Sequence, residues 1–136
     1  MDKQQLMQLL PHRDPMLLLD EAELDGDLAR GKRLIRGDEW FLQGHFPDHP
    51  VVPGVILCEI LAQSACVLLG ETESGGKTPY FTGMDKVRFK HPVRPGDTVC
   101  TTCRILRKKA AFYFAAGQLQ VNDTVCVEAE FSFALV

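Results

Sequence analysis

Residues 51–69, VVPGVILCEILAQSACVLL, are the one long helix candidate in the chain. Pro53 suits the first helical position, where its missing N–H would have no partner anyway, and Gly70 suits the position just past the end. Such a helix would be about 27 Å long. It is apolar on nearly every side, interrupted only by Glu59, Gln63 and Ser64. A surface helix shows a polar face, so a helix without one has to be enclosed almost all round.

The rest of the chain supplies the enclosure. Residues 80–89, 98–106 and 112–121 read as strands, separated by the turn-rich HPVRPGD and by Arg107-Lys108-Lys109, and Asn122-Asp123 makes a further turn. The last strand alternates most cleanly, with Val125, Val127, Ala129, Phe131, Phe133 and Leu135 on one face and Cys126, Glu128, Glu130 and Ser132 on the other. Before the helix, residues 2–10 predict a short helix stopped by Pro11. Residues 16–20 and 28–36 predict a hairpin around Asp25-Gly26-Asp27, and residues 40–50 read as irregular chain. Residues 71–77 read as a polar, Gly-rich loop. One central helix with an antiparallel sheet long enough to curl around it predicts an α+β fold, a single domain over residues 1–136.

Composition narrows the functional classes. A chain of 136 residues, 46% hydrophobic and 24% charged, buries roughly two-thirds of its unfolded surface and is not a disordered one. A formal charge of −3 gives no general attraction to nucleic acid or anionic lipid. No apolar run reaches the ~20 residues needed to span a bilayer, and the start, MDKQQLMQLLPHRD, lacks signal-peptide features, so a cytoplasmic location is expected. Cys58, Cys66, Cys100, Cys103 and Cys126 are odd in number and lie in apolar contexts, which predicts buried free thiols. Cys100 and Cys103 have knuckle spacing, but on a strand positions three apart face opposite ways, so no metal is expected there.

Glu59 is the informative exception in the helix, with Gln63 one turn on along the same face. Either it emerges at a gap in the sheet and is solvated, or it is buried, protonated near neutral pH and able to act as a general acid. Gly44-His45-Phe46-Pro47 tilts the reading toward chemistry, because it places a titratable ring in a rigid loop just before the helix. His45 could equally be a hydrogen-bonded loop histidine. Together His45, Glu59 and the free donors of a helix N-terminus at Pro53-Gly54 suit proton transfer beside an activated carbonyl. Pro47 and Pro50 break the helical spacing that would make His45 and His49 a metal pair. Lys86, Arg88 and Lys90 alternate with Val87 and Phe89 and, extended by Arg94, form either a solvated face or a basic patch for an acidic partner.

Leu10-Pro11-His12-Arg13, the run Phe41 to Pro47 (FLQGHFP), Pro53-Gly54-Val55 with Glu59 and Ala62-Gln63, Gly83-Met84-Asp85, Arg88-Phe89-Lys90 and Pro95-Gly96-Asp97 match a known family in order and spacing. Over nearly its whole length the chain resembles the FabZ-type 3-hydroxyacyl-acyl-carrier-protein dehydratases of fatty-acid synthesis. The resemblance implies a hotdog fold, a long central helix wrapped by a curved antiparallel sheet. It also implies a homodimer, commonly within a trimer of dimers, in which each active site takes its histidine from one subunit and its carboxylate from the other.

By the same resemblance His45 removes the C2 proton of a (3R)-3-hydroxyacyl thioester and Glu59 protonates the departing hydroxyl, directly or through a water held with Gln63. The Gly54 N–H stabilises the oxyanion, and the product is the trans-2-enoyl thioester. His12, Met16 and Phe89 would border the acyl tunnel, and Lys86, Arg88, Lys90 and Arg94 would meet acyl carrier protein. No cofactor is implied. The family usually has an aromatic residue at Asp14, phenylalanine at Met16 and asparagine at Asp38, and Cys58 is unusual beside the glutamate; the first two bear on chain-length preference. The related dehydratase-isomerases normally have aspartate at the position of Glu59. A thioesterase, or a non-catalytic acyl-binding or carrier-docking subunit, would share the fold.

Overall fold

The computed structural model describes residues 1–70 and 75–136, so the loop expected over residues 71–77 lies outside the described residues at 71–74. Helix α1 (Lys3–Leu9) begins at a reciprocal cap, in which the Asp2 carboxylate accepts from the Gln5 N–H and the Gln5 side chain accepts from the Asp2 N–H. Leu6 and Leu10 dock it on the core.

The strand expected at residues 16–20 does not form. Leu17, Leu18 and Leu19 are all buried, and the Leu18 N–H donates to the Gln63 side chain at 2.9 Å instead of to a neighbouring strand. Consecutive burial is the mark of a segment enclosed on both sides, not of an alternating ladder. The hairpin is made by β1 (Glu21–Asp25) and β2 (Leu28–Leu34), with Gly26 in the left-handed region at φ 63°.

Helix α2 (Gly54–Cys66) is shorter than expected. Its thirteen residues span about 20 Å. Pro53 is its N-cap and not its first turn, because Val52 is held in extended form by donating to the Val93 carbonyl at 2.8 Å. A 3-10 turn (Val67–Leu69) tightens the far end before Gly70 at φ 65°.

Strands β3 (Pro79–Phe89), β4 (Thr98–Lys109), β5 (Phe112–Val121) and β6 (Thr124–Leu135) complete a six-stranded sheet of order β1-β2-β4-β5-β6-β3, antiparallel at every pairing. The turn expected at Arg107-Lys108-Lys109 is strand, and the chain reverses at Ala110-Ala111. Arg107 and Lys108 lie opposite Phe114 and Tyr113 and set their cations over those rings at 4.1 and 5.2 Å, which carries the strand through a charged run. This α+β architecture is the hotdog arrangement. Among the described residues no helix is long and apolar enough to cross a membrane.

The sheet closes on α2 at points where backbones nearly touch. Ser64 Oγ donates to the Ile60 carbonyl and lies 2.7 Å from Thr101 Oγ1, which accepts from the Gly31 N–H at 2.9 Å. A Cβ on Gly31 would stand 2.7 Å from Thr101 Oγ1, 2.8 Å from Ser64 Oγ and 2.9 Å from Leu19 Cδ2. Gly31→Ala should therefore cost about 1–3 kcal/mol through forced displacement of helix and strand, read as a lower midpoint in urea unfolding. An unchanged midpoint would mean that helix and sheet are not in this close register.

Candidate active site

The loop that carries His45 is pinned at both ends. At its start the buried Glu39 carboxylate accepts from the Arg33 guanidinium at 2.8 Å, from the Arg36 N–H at 2.9 Å and from the Gly37 N–H at 2.7 Å. Burial alone would raise this carboxyl, but these donors hold it down at about 2, so Glu39 stays ionised. A 3-10 turn (Trp40–Leu42) follows, then Gly44 and Phe46 at φ 82° and 62°, and the Phe46 ring lies against the rings of His45 and His49. His45 Nδ1 lies 2.8 Å from the Val51 carbonyl. A carbonyl only accepts, so in the neutral ring Nδ1 carries the proton and Nε2 the lone pair.

Next to this ring α2 begins. Pro53 has no N–H, and the Gly54 N–H donates to no acceptor among the described residues. A Cβ on Gly54 would stand 2.7 Å from Phe89 Cε1, so only glycine lets the Phe89 ring lie over the helix start. His45, Gly54, Phe89 and Lys90 line one open cleft of about 610 Å³.

Glu59 opens into a different space. It lines a cavity of about 40 Å³ with His12, Gln63, Cys66 and Phe81, room for a single water or hydroxyl group. Gln63 is wholly buried and uses its amide three times: Oε1 accepts from Leu18, while Nε2 donates to the Met16 carbonyl at 2.8 Å and to Glu59 Oε2 at 3.1 Å. Burial raises the Glu59 pKa above the ordinary carboxylate value, partly opposed by the Gln63 donor. The His12 Nε2 atom lies 3.6 Å from Glu59 Oε2.

Within one chain, then, His45, Gly54 and Phe89 come together, and His12, Glu59 and Gln63 come together, but the two groups line separate spaces. Of the three expected tunnel residues, Phe89 belongs to the histidine cleft and His12 to the glutamate cavity. Met16 contributes its carbonyl to Gln63. With both Nε2 hydrogens given to protein acceptors, Gln63 holds Glu59 and the Met16–Leu18 backbone directly.

The basic face expected on β3 is not continuous. A register shift between Asp85 and Arg88, with Lys86 at φ 50°, breaks the alternation. Lys86 and Lys90 are each 3.1 Å from a carboxylate, Glu130 and Glu128, whereas Arg88 and Arg94 are exposed with no carboxylate partner among the described residues. The five cysteines are free, and no cluster of His, Cys, Asp or Glu with metal-binding geometry occurs among the described residues.

Sequence reading missed Arg13. Its guanidinium donates to the carbonyls of Met7, Leu10 and His12 at 3.1, 2.9 and 2.7 Å, wrapping the end of α1 and fixing the backbone that carries the His12 ring. The available signal was an arginine directly after a proline-terminated helix, where the last carbonyls need donors.

The model of a family described as the FabA-like domain matches residues 10–130. The chain is 38% identical over 138 residues to the 3-hydroxyacyl-acyl-carrier-protein dehydratase FabZ of Fusobacterium nucleatum, covering 99% of this chain and 97% of that protein. It is 42% identical over 138 residues to the FabZ of Caldicellulosiruptor saccharolyticus, covering 98% of each. Among solved structures, the dehydratase heterocomplex ApeI:P from Xenorhabdus doucetiae superposes with a TM-score of 0.81 at 20% identity, over 96% of this chain and 90% of that one, a likeness of fold. With a family model spanning residues 10–130 and FabZ relatives aligned along nearly their whole length, the chain belongs to the FabA-like domain family, as a FabZ-type member.

Proposed function

We propose that this chain is a hydro-lyase of fatty-acid synthesis that removes water from a (3R)-3-hydroxyacyl thioester on acyl carrier protein to give the trans-2-enoyl thioester. The observation that carries the reading is a matched pair of proton carriers. His45 presents a free Nε2 beside an unused helix N-terminal N–H, and Glu59 is pushed by burial toward its protonated form. The curated FabZ relatives, named for this reaction, agree with it.

The thioester carbonyl acidifies C2–H. His45 Nε2 takes that proton while negative charge grows on the carbonyl oxygen, and the Gly54 N–H, at the positive end of α2, stabilises it. Glu59 gives its proton to the 3-hydroxyl, the C3–O bond breaks, and water leaves as the C2–C3 double bond forms. The products are one enoyl thioester and one water. Proton exchange between the imidazolium and the carboxylate, through solvent, restores both groups.

His45 and Glu59 line separate spaces in one chain, which supports a site shared between two chains. Strand β3 is an edge of the sheet, eleven residues long, with Tyr80, Phe81, Met84 and Phe89 exposed. A long apolar edge is a template for pairing, and a second copy across a two-fold axis would satisfy it by joining the sheets into one. Five free thiols fit a reducing, cytoplasmic setting.

Arg88 and Arg94 are the cations of the β3 region left to meet an acidic carrier, since Lys86 and Lys90 are engaged by glutamates. Charge complementarity of this kind mainly speeds encounter. Arg88→Glu with Arg94→Glu should raise KM about tenfold for carrier-bound substrate and leave it unchanged for a short pantetheine thioester. Equal effects on both substrates would remove these arginines from carrier docking.

His45→Ala and Glu59→Gln should each lower kcat/KM by about 10²- to 10⁴-fold, measured as enoyl absorbance from a panel of 3-hydroxyacyl thioesters. Because Glu59 must be protonated to act, wild-type activity should fall as pH rises through its raised pKa, and that alkaline limb should vanish in Glu59→Gln. Folded wild-type protein that forms no enoyl product at any chain length would refute the dehydratase reading.

A further inference from the structure

The Leu10-Pro11-His12-Arg13 segment does more than border a tunnel. Pro11 ends α1, buried Leu10 anchors the exit, and Arg13 grips the carbonyls on both sides of Pro11. The Arg13 carbonyl in turn accepts from the Met16 and Leu17 N–H groups at 2.8 and 3.2 Å. The His12 ring therefore has a fixed place beside Glu59, across the cavity that Gln63 also lines.

The hydrogen-bonding inventory of that cavity assigns its protons. His12 Nδ1 is shut off from solvent and has no hydrogen-bond partner among the described residues. A buried N–H without an acceptor is rarer and dearer than a bare acceptor lone pair, so the ring proton belongs on Nε2, facing Glu59 Oε2. At 3.6 Å this contact is an oriented dipole and not a hydrogen bond. Gln63 Nε2 donates to the same oxygen at 3.1 Å. Two N–H dipoles thus face Oε2, so in the protonated form of Glu59 the proton sits on Oε1 and Oε2 is the carbonyl oxygen.

We propose that His12 is a positioning residue for the acid: with Gln63 it fixes Oε2 as the acceptor and leaves the proton of Glu59 on Oε1, the oxygen free to meet the substrate's 3-hydroxyl. This rests on the reading of Glu59 as the general acid. The other groups facing the cavity are consistent with it. Burial and the Arg13 charge lower the His12 pKa, so the ring is neutral. A cation there would pull the Glu59 pKa down and favour its ionised form. Burial pushes the Cys66 thiol up to about 12, so it stays uncharged. Ala62, Pro79, Phe81 and Phe133 carry no titratable group.

The test compares His12→Phe and His12→Gln with wild type in kcat and KM across pH, and in the infrared band of the Glu59 carboxyl group, identified by its loss in Glu59→Gln. His12→Phe should lower kcat about 10- to 100-fold with KM within about threefold, the scale expected of a misplaced reacting group. Its carboxyl band should persist to higher pH, because an N–H dipole that favours the ionised form has gone. His12→Gln, which keeps an N–H at similar reach, should restore kcat to within about threefold and return the titration toward wild type. His12→Leu serves as the apolar variant if the phenylalanine ring is not accommodated. Apolar and glutamine variants that raise KM alike and leave the carboxyl titration unmoved would make His12 only a wall. Wild type without enoyl product would instead refute the dehydratase reading, and the infrared titration would still decide whether His12 governs Glu59.

Discussion

Helix α2 approaches the sheet so closely that glycine is required where they meet. A Cβ on Gly31 would collide with Ser64 and Thr101, and one on Gly117 would stand 2.7 Å from Cys103 Sγ and 3.1 Å from Leu61 Cδ2. That contact leaves no solvent layer between helix and sheet, so almost every α2 side chain from Ile56 to Cys66 is buried and its polar atoms must find protein partners. Ser64 finds the Ile60 carbonyl and Thr101, and Gln63 finds Leu18, Met16 and Glu59. Glu59 is the remaining case, a carboxyl group at the margin of the enclosure with one amide donor and one imidazole near it. Desolvation without full compensation is what moves its proton affinity upward. The raised proton affinity of the proposed acid follows from the way the core is closed.

The other proposed proton carrier obeys a different logic. His45 sits on irregular chain, and its orientation depends on the ionised Glu39 at one end of the loop and the Val51 carbonyl at the other. Carboxylate, guanidinium and two backbone N–H groups form a node at the start of the loop, a few residues before the ring, so the loop is held without belonging to an α-helix or strand. Glu39 and Glu59 carry the same chemical group shifted in opposite directions, one held low by three donors and the other raised by burial. The two carboxyls show how the number of donors, more than burial alone, sets proton affinity.

Much of this was legible in the sequence, for reasons that can be named. The enclosed helix followed from its apolar circumference, and the Asn122-Asp123 turn from residue types that tolerate positive φ, observed at 48° and 67°. The alternation of β6 holds from Val127 to Phe133 but fails at Cys126, expected on the wet face and buried beside a register shift with β5. Glu59 stood out as the one carboxyl group on a buried helix, and His45 by its glycine and proline neighbours. What was not legible depended on distant partners. Leu17 to Leu19 looked like a strand, but the hydrogen bond that decides their place comes from Gln63, far along the chain. Arg107 to Lys109 looked like a turn, but aromatic rings on β5 receive two of the cations. The bulge that disrupts the basic alternation of β3 is set by pairing with β6, which local periodicity does not report. Arg13 acts on backbone carbonyls, whose one trace in the sequence is the helix end marked by Pro11.

The most direct test of the shared site mixes two inactive proteins. His45→Ala chains and Glu59→Gln chains are purified separately, combined under conditions that allow subunit exchange, and assayed for enoyl formation. If each site draws its histidine from one chain and its carboxyl from the other, every mixed dimer regains one intact site, and activity should rise to about a quarter of wild type at statistical exchange. Exchange confirmed by mass spectrometry with activity still absent would mean that both groups must come from the same chain.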